Sequence, residues 1–145
     1  MSELVITRVL RAQPERVFAF VSDTKHLLKW WGPEGMGVPE HQLAFDRLGP
    51  WMSVITNGEG QRYKVSGQVT HVDPPNSVGF TWAWHDEDDA RGLESHVTIK
   101  LVPAAKGGTA LELRHVDLPD SDAAASHEQG WTSSLRKLER LAEGA

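Results

Sequence analysis

Apolar residues change their spacing along the chain, and the first changes predict a strand followed by two short helices. Residues 4–10 alternate between apolar and polar side chains, which is typical of a strand. Pro14 suits the first turn of a helix, and the apolar residues between 17 and 21 supply one face of that helix. Asp23 and Thr24 interrupt it, and a second short helix follows.

The second helix ends in the segment TKHLLKWWGPEG, residues 24–35, which is the most distinctive stretch of the sequence. Gly32 can adopt the left-handed conformation that caps a helix, and Pro33 cannot continue one. Successive helical side chains point about 100° apart, so Trp30 and Trp31 are expected to face different surroundings. We expect one ring to enter a core while the other lines a rim or cavity. The alternative is that both rings fill the core.

Beyond Glu40 the apolar spacing changes to two, and turn signals interrupt it at residues 48–50, 57–58, 73–76, 86–92 and 106–108. These interruptions predict six strands joined as hairpins. From Ala124 to Leu141 the spacing returns to three or four, which predicts one long C-terminal helix.

This order of elements predicts an α+β fold with a seven-stranded antiparallel sheet and helices segregated from it. A sheet of that size twists and curls, and a long helix laid across a curled sheet tends to leave a gap. The gap is either filled by large side chains or kept open for a ligand.

Polar residues are expected on the inner face of this sheet. Aligning the apolar faces of the last strands pairs Leu113 with Val97 and His115 with Ser95, and it sets Trp82 opposite Ser95. A buried imidazole or hydroxyl left unpaired costs on the order of 1–3 kcal/mol. Three interpretations remain open: a Ser–His hydrogen bond within the core, a polar anchor for a ligand in an apolar pocket, and a catalytic histidine.

The amino-acid composition of the chain excludes several classes of function. The chain has 145 residues, which fits one domain over residues 1–145, and its six tryptophans favour a cavity or a binding face. A formal charge of −5 without a basic cluster argues against nucleic-acid binding. The absence of cysteine excludes disulfides and thiolate nucleophiles, and the histidines lack metal-ligand spacing, so no metal or cofactor is predicted. No stretch reaches membrane-spanning length and no secretory signal is present, so we expect a cytoplasmic protein.

The sequence resembles, nearly from end to end, the bacterial homologues of the heat-shock-protein-ninety ATPase activator. The motifs that carry this resemblance are WWGP at residues 30–33 and HxxGW at residues 127–131, supported by residues 6–8, 73–75 and 80–82. This family belongs to the START-like (SRPBCC, birch-pollen-allergen-like) superfamily. The resemblance implies the helix-grip fold, in which a curved seven-stranded sheet wraps around a C-terminal helix and encloses a cavity.

The resemblance also implies a range of functions. Relatives bind hydrophobic small molecules, and the superfamily includes lipid carriers, hormone receptors and aromatase/cyclases of polyketide pathways. The eukaryotic namesake stimulates a chaperone with the help of a separate N-terminal domain, for which these residues leave no room. We therefore do not expect the co-chaperone role to carry over by name.

These observations predict a protein that binds an apolar, aromatic or polycyclic small molecule between the sheet and the long helix, as a carrier, a sensor or a sequestering protein. The residues expected to form the site are the walls Trp31, Phe45, Met52, Tyr63, Trp82, Trp84 and Trp131, with Ser95 and His115 orienting the ligand.

Two alternatives stay open. One is an enzyme resembling a polyketide cyclase or a hydrolase, with the inward His115 as its acid/base group. The other is a protein-interaction module, linked to a chaperone or to a stress response, that binds a protein partner or a second copy of itself. This last alternative predicts outward-facing Trp30 and Trp51 in an exposed apolar patch.

Overall fold

The computed structural model describes residues 2–144 and confirms the predicted order of elements. The elements are β1 (Ser2–Leu10), α1 (Pro14–Ser22), α2 (Thr24–Trp30), β2 (Gly37–Gln42), β3 (Gly49–Thr56), β4 (Arg62–Asp73), β5 (Ser77–Trp84), β6 (Ser95–Pro103), β7 (Thr109–Leu118) and α3 (Ser121–Glu143). A single 3₁₀ turn, Ala105–Gly107, lies between β6 and β7.

All the strands form one antiparallel sheet in the order β1-β7-β6-β5-β4-β3-β2. The hairpins place consecutive strands side by side, and β1 adds to the far edge by pairing with β7. The predicted α+β helix-grip fold is therefore confirmed. Within residues 2–144, no helix combines the length and apolar character needed to cross a membrane.

The predicted register between β6 and β7 is wrong by two residues. His115 lies opposite Val97 and Leu113 opposite Ile99, whereas Trp82 does lie opposite Ser95 as predicted. A shift of two keeps each side chain on its predicted face, because strand side chains alternate with a period of two. Matching apolar faces therefore cannot detect this error.

Helix α3 is anchored to the rest of the molecule through its second half. Its buried side chains are Trp131, Ser134, Leu135, Leu138 and Ala142. The Arg16 guanidinium donates to the carbonyl oxygens of Leu141, Ala142 and Gly144 at 2.8–3.3 Å, which satisfies the last turn of the helix. No residue of the first half, 121–130, is fully buried, and that half packs on the core only through partly buried side chains such as Ala123, Ala124 and His127.

The outward positions predicted for Trp30 and Trp51 are wrong, because both rings are buried, with 0% and 1% of their surface exposed. Trp30 donates its indole N–H to the carbonyl of Phe20 on α1, at 2.8 Å. Trp51 donates to the carbonyl of Thr81 on β5, at 3.0 Å. Each indole N–H thus has a buried backbone acceptor, and this hydrogen bond lowers the free-energy cost of burying the polar edge of the ring.

Candidate functional site

A cavity of about 510 Å³ lies between the first half of α3 and the sheet. Its walls come from α3, from the loop after α2, and from the ends of strands β3 to β7. The lining residues are Trp31, Gly32, Pro33, Met36, Ile55, Tyr63, Trp82, Trp84, Leu93, Ser95, Leu118, Pro119, Ala123, Ser126, His127, Gly130, Trp131 and Ser134.

The end of α2 brings Trp31 into this cavity. Helix α2 stops at Trp30, and Gly32 follows with φ at +85°, a left-handed conformation that favours glycine. The ring planes of Trp30 and Trp31 are inclined to each other by 64°. Trp31 donates its indole N–H to the hydroxyl of Ser53 at 3.0 Å, which fixes the ring against β3.

Behind the cavity, a tightly packed aromatic cluster forms the cavity floor. Phe45 and Phe80 stack with ring centroids 4.2 Å apart, and Trp51 meets both rings edge to face at 5.5 and 5.4 Å. Trp31 and Trp82 cover the cluster on the cavity side, with their ring centroids 6.0 Å apart. Such offset and edge-to-face contacts stabilise aromatic cores beyond simple area burial.

The structure brings six of the nine predicted site residues together around the cavity and places the other three elsewhere. The six that line it are Trp31, Tyr63, Trp82, Trp84, Ser95 and Trp131. Phe45 is fully buried in the aromatic floor, and His115 is fully buried behind Ser95 and Trp131.

Met52 is not a wall residue, because it faces the opposite side of the sheet. Its neighbours Trp51 and Ser53 are buried on the inner side, and strand alternation turns Met52 away from them. There it borders an outer groove of about 850 Å³. The cations of this groove are paired with acids, Lys64 with Asp89 at 3.0 Å and Arg91 with Glu94 at 3.3 Å.

A chain of hydrogen bonds fixes the protonation of His115. The indole N–H of Trp131 donates to Nδ1 of His115 at 3.1 Å, so Nδ1 is an acceptor and the proton of the neutral ring lies on Nε2. Nε2 then donates to the Ser95 hydroxyl at 2.7 Å, and that hydroxyl donates to the Trp82 carbonyl at 3.3 Å. Both ring nitrogens of His115 and the Ser95 hydroxyl are therefore paired, so this hydrogen-bond chain joins β6, β7 and α3.

This burial also removes His115 from acid/base chemistry near neutral pH. Desolvation, with smaller contributions from the charges of His127 and His96, lowers the pKa of His115 to about 3. A proton added to Nδ1 would displace the indole donor of Trp131. His115 is therefore a structural polar group, which corresponds to the Ser–His core interpretation.

Trp82 carries an unpaired donor beside the cavity. Its ring is only 6% exposed and lines the cavity, and its indole nitrogen is the one buried side-chain N or O atom within residues 2–144 that lacks a hydrogen-bond partner. Leaving a buried donor unpaired costs about 1–3 kcal/mol. The Trp82 indole is thus the wall ring whose polar edge the protein itself leaves unsatisfied.

His127 is a site residue that the prediction missed. It lines the cavity on α3, its ring centroid lies 5.6 Å from that of Trp82, and its imidazole makes no hydrogen bond within residues 2–144. Burial lowers the pKa of His127, which keeps the ring neutral at pH 7. The signal was present in the sequence, because His127 lies one helical turn before Trp131 on the same face of α3.

The side chains that line the cavity are uncharged. No Asp, Glu, Lys or Arg side chain of the described part of the chain lines it. No group of three or more His, Asp or Glu side chains among residues 2–144 could hold a metal ion. At the rim, Tyr63, Trp84 and Leu93 are 41%, 39% and 60% exposed, so the mouth presents apolar surface to solvent.

Comparisons with known proteins give the same architecture. The family model for Activator of Hsp90 ATPase homolog 1-like proteins matches residues 11–143. A crystal structure of an AHSA1 protein from Silicibacter pomeroyi is 58% identical, with a TM-score of 0.92, over 97% of this chain and 96% of that one. A protein from Chromobacterium violaceum is 26% identical, with a TM-score of 0.88, over 100% of both chains. No curated protein matches the chain.

A more distant structure, a protein from Mycobacterium smegmatis, is 21% identical and has a TM-score of 0.80 over 99% of this chain and 91% of that one. At this level of identity the match shows the fold alone. Family and fold together indicate a ligand-binding or chaperone-associated module.

Proposed function

We propose that this chain, which belongs to the Activator of Hsp90 ATPase homolog 1-like family, binds an apolar aromatic small molecule in the cavity between its sheet and helix α3. In that role it acts as a carrier, a sensor or a sequestering protein. The observation that carries the proposal is the open cavity of about 510 Å³ walled by Trp31, Trp82, Trp84 and Trp131. Ligand pockets in proteins usually measure roughly 300–1,000 Å³ and are lined mainly by apolar and aromatic side chains.

Gly130 supports an open cavity. A glycine inside a helix costs roughly 1 kcal/mol relative to alanine, so a packing or functional reason is expected. A Cβ atom at this position would meet only Pro33 Cγ, at 3.9 Å, which is ordinary van der Waals contact. Close packing therefore does not require glycine at position 130. Its missing side chain enlarges the cavity.

The acid/base alternative loses its candidate residue. His115 has both ring nitrogens hydrogen-bonded and is fully buried, so it can neither contact a substrate nor exchange a proton near pH 7. The interaction-module alternative loses its candidate surface, because Trp30 and Trp51 lie in the core. Binding of a small molecule is the function that the remaining geometry favours.

The proposal is tested with N-phenyl-1-naphthylamine, a neutral aromatic probe whose fluorescence rises in apolar surroundings. We expect it to bind with one-to-one stoichiometry and to quench the protein's tryptophan emission by energy transfer. Gly130→Leu places an isobutyl group in the cavity and should weaken binding at least tenfold. Gln129→Leu adds the same side chain at a neighbouring exposed position of α3 and should leave binding unchanged.

Native mass spectrometry of protein purified from its own host provides a second measurement. A stoichiometric apolar guest that is present in the wild type and absent from Gly130→Leu supports the proposal. Failure of the probe to bind, together with the absence of any guest, contradicts it. Equal probe binding by both variants also contradicts it, because the bound probe would then lie outside the cavity.

A further inference from the structure

Two neighbouring aromatic side chains at the cavity, Trp82 and His127, carry polar groups that lack partners within residues 2–144. The Trp82 indole N–H is a buried donor without an acceptor, and the His127 imidazole makes no hydrogen bond within residues 2–144. Their ring centroids are 5.6 Å apart and the ring planes meet at 83°. The other indoles at the back of the cavity are paired, Trp31 with Ser53 and Trp131 with His115.

We propose that the ligand is a neutral aromatic carbonyl compound whose oxygen accepts hydrogen bonds from the Trp82 indole N–H and the His127 imidazole N–H. This inference rests on the proposed function and specifies the chemical class of its ligand. A carbonyl oxygen has two lone pairs and accepts from two donors at once. The flat ring system of the ligand then stacks among the indoles that wall the cavity.

The lining also argues against a charged ligand. A carboxylate or phosphate in the cavity would meet no Lys or Arg side chain, and an amine would meet no carboxylate, among the described residues that line it. A buried charge without a partner is strongly unfavourable. Since burial also keeps His127 uncharged, the site offers an anion no positive group.

Two of the rings that pack against Trp82, those of Trp84 and His127, lie at the cavity and make no internal hydrogen bond that would hold them in place. The indole nitrogen of Trp82 is buried. His127 and Trp84 pack beside it, stacked on each other with centroids 6.1 Å apart and planes inclined by 21°. Neither ring makes a hydrogen bond within residues 2–144, and Trp84 is 39% exposed, so both rings can shift without breaking one.

The inference is tested by competition of matched naphthalene compounds against N-phenyl-1-naphthylamine at pH 7.5. The compounds are 2-acetonaphthone, which carries a carbonyl, 2-ethylnaphthalene, which does not, and 2-naphthoate, which is an anion. Apolar burial alone favours the hydrocarbon over the ketone. We expect the ketone to bind wild type at least threefold more tightly than the hydrocarbon, and the anion at least tenfold more weakly than the ketone.

The variant His127→Phe keeps an aromatic ring but removes the donor, so the ratio of ketone affinity to hydrocarbon affinity, measured within the variant, should fall below one. Trp82→Phe is a second variant with the same expectation, for use if His127→Phe does not fold. Tighter binding of the hydrocarbon than the ketone to wild type overturns the inference. A ketone preference that persists unchanged in both variants also overturns it. If N-phenyl-1-naphthylamine itself does not bind, the proposed function is wrong. If it binds but the ketone is not preferred, only the inference about the carbonyl is wrong.

Discussion

His115 shows how burial decides what a residue can do. The sequence offered it as an orienting or catalytic group, since histidine is the side chain that titrates near neutral pH. In the folded protein its two nitrogens join Trp131 to Ser95, and desolvation lowers its pKa to about 3. The histidine that lines the cavity and makes no hydrogen bond within residues 2–144 is instead His127.

The lowered pKa of His115 makes stability depend on pH. In the unfolded chain His115 binds a proton below about pH 6.5, whereas the folded protein excludes that proton down to about pH 3. The free energy of unfolding should therefore fall by up to about 1.4 kcal/mol per pH unit as the pH drops from 6.5 towards 3. His115→Gln cannot bind this proton, so its loss of stability with falling pH should be correspondingly smaller.

Denaturant unfolding at intervals between pH 4 and 7 measures this difference. At pH 7 we expect His115→Gln to be less stable by about 1–3 kcal/mol, because the hydrogen-bond chain is disrupted. Below pH 6 the gap should narrow. The exposed His71→Gln controls for the loss of one histidine. Parallel pH profiles for wild type and His115→Gln would show that His115 titrates normally in the folded state.

At the scale of elements, helix α3 combines an anchored half with a half that borders the cavity. Gly130 lies at the boundary, where a Cβ atom meets nothing closer than 3.9 Å. Gly130→Ala should raise the free energy of unfolding by about 0.5–1 kcal/mol, because alanine is the better helix former. The added methyl group occupies cavity space, so binding of N-phenyl-1-naphthylamine should weaken about two- to fivefold.

Thermal unfolding and probe titration on the same preparations measure both effects of Gly130→Ala. We expect Gly130→Ala to be more stable than wild type and to bind the probe more weakly. If glycine were required at this position for close packing, alanine would instead lower the stability. A destabilised variant would mean that α3 needs glycine for close approach to the loop at Pro33.

The sequence predicts the elements well because each has its own local signal. Glycine and proline mark the end of α2 and the hairpin turns, and periods of two and of three to four separate strands from helices. The site is harder to predict, because the alternation of a strand defines two faces without stating which is inner. Met52 and Trp51 are both apolar neighbours on β3, and only three-dimensional packing turns Trp51 inward.

At the scale of the whole molecule, the fold has a closed end and an open end. At the closed end, Arg16 and the second half of α3 lock the helix onto the sheet. At the open end, the first half of α3, the loop after α2 and the strand ends together wall the cavity. The Glu34 backbone N–H donates to the Ser133 hydroxyl at 2.9 Å, which ties that loop to the helix beside the cavity.

A ligand in the cavity should therefore stabilise the open end as one unit. In amide hydrogen exchange with N-phenyl-1-naphthylamine present, we expect slower exchange jointly in residues 121–130, 32–36 and 93–95. These segments contribute walls of the cavity and have few buried side chains of their own, so we expect them to open locally more readily than the core. Exchange in the second half of α3 should change much less, and Gly130→Leu should show none of the added protection. Protection centred on Met52 and Lys64 instead would place the probe in the outer groove, where the cavity variants have no effect.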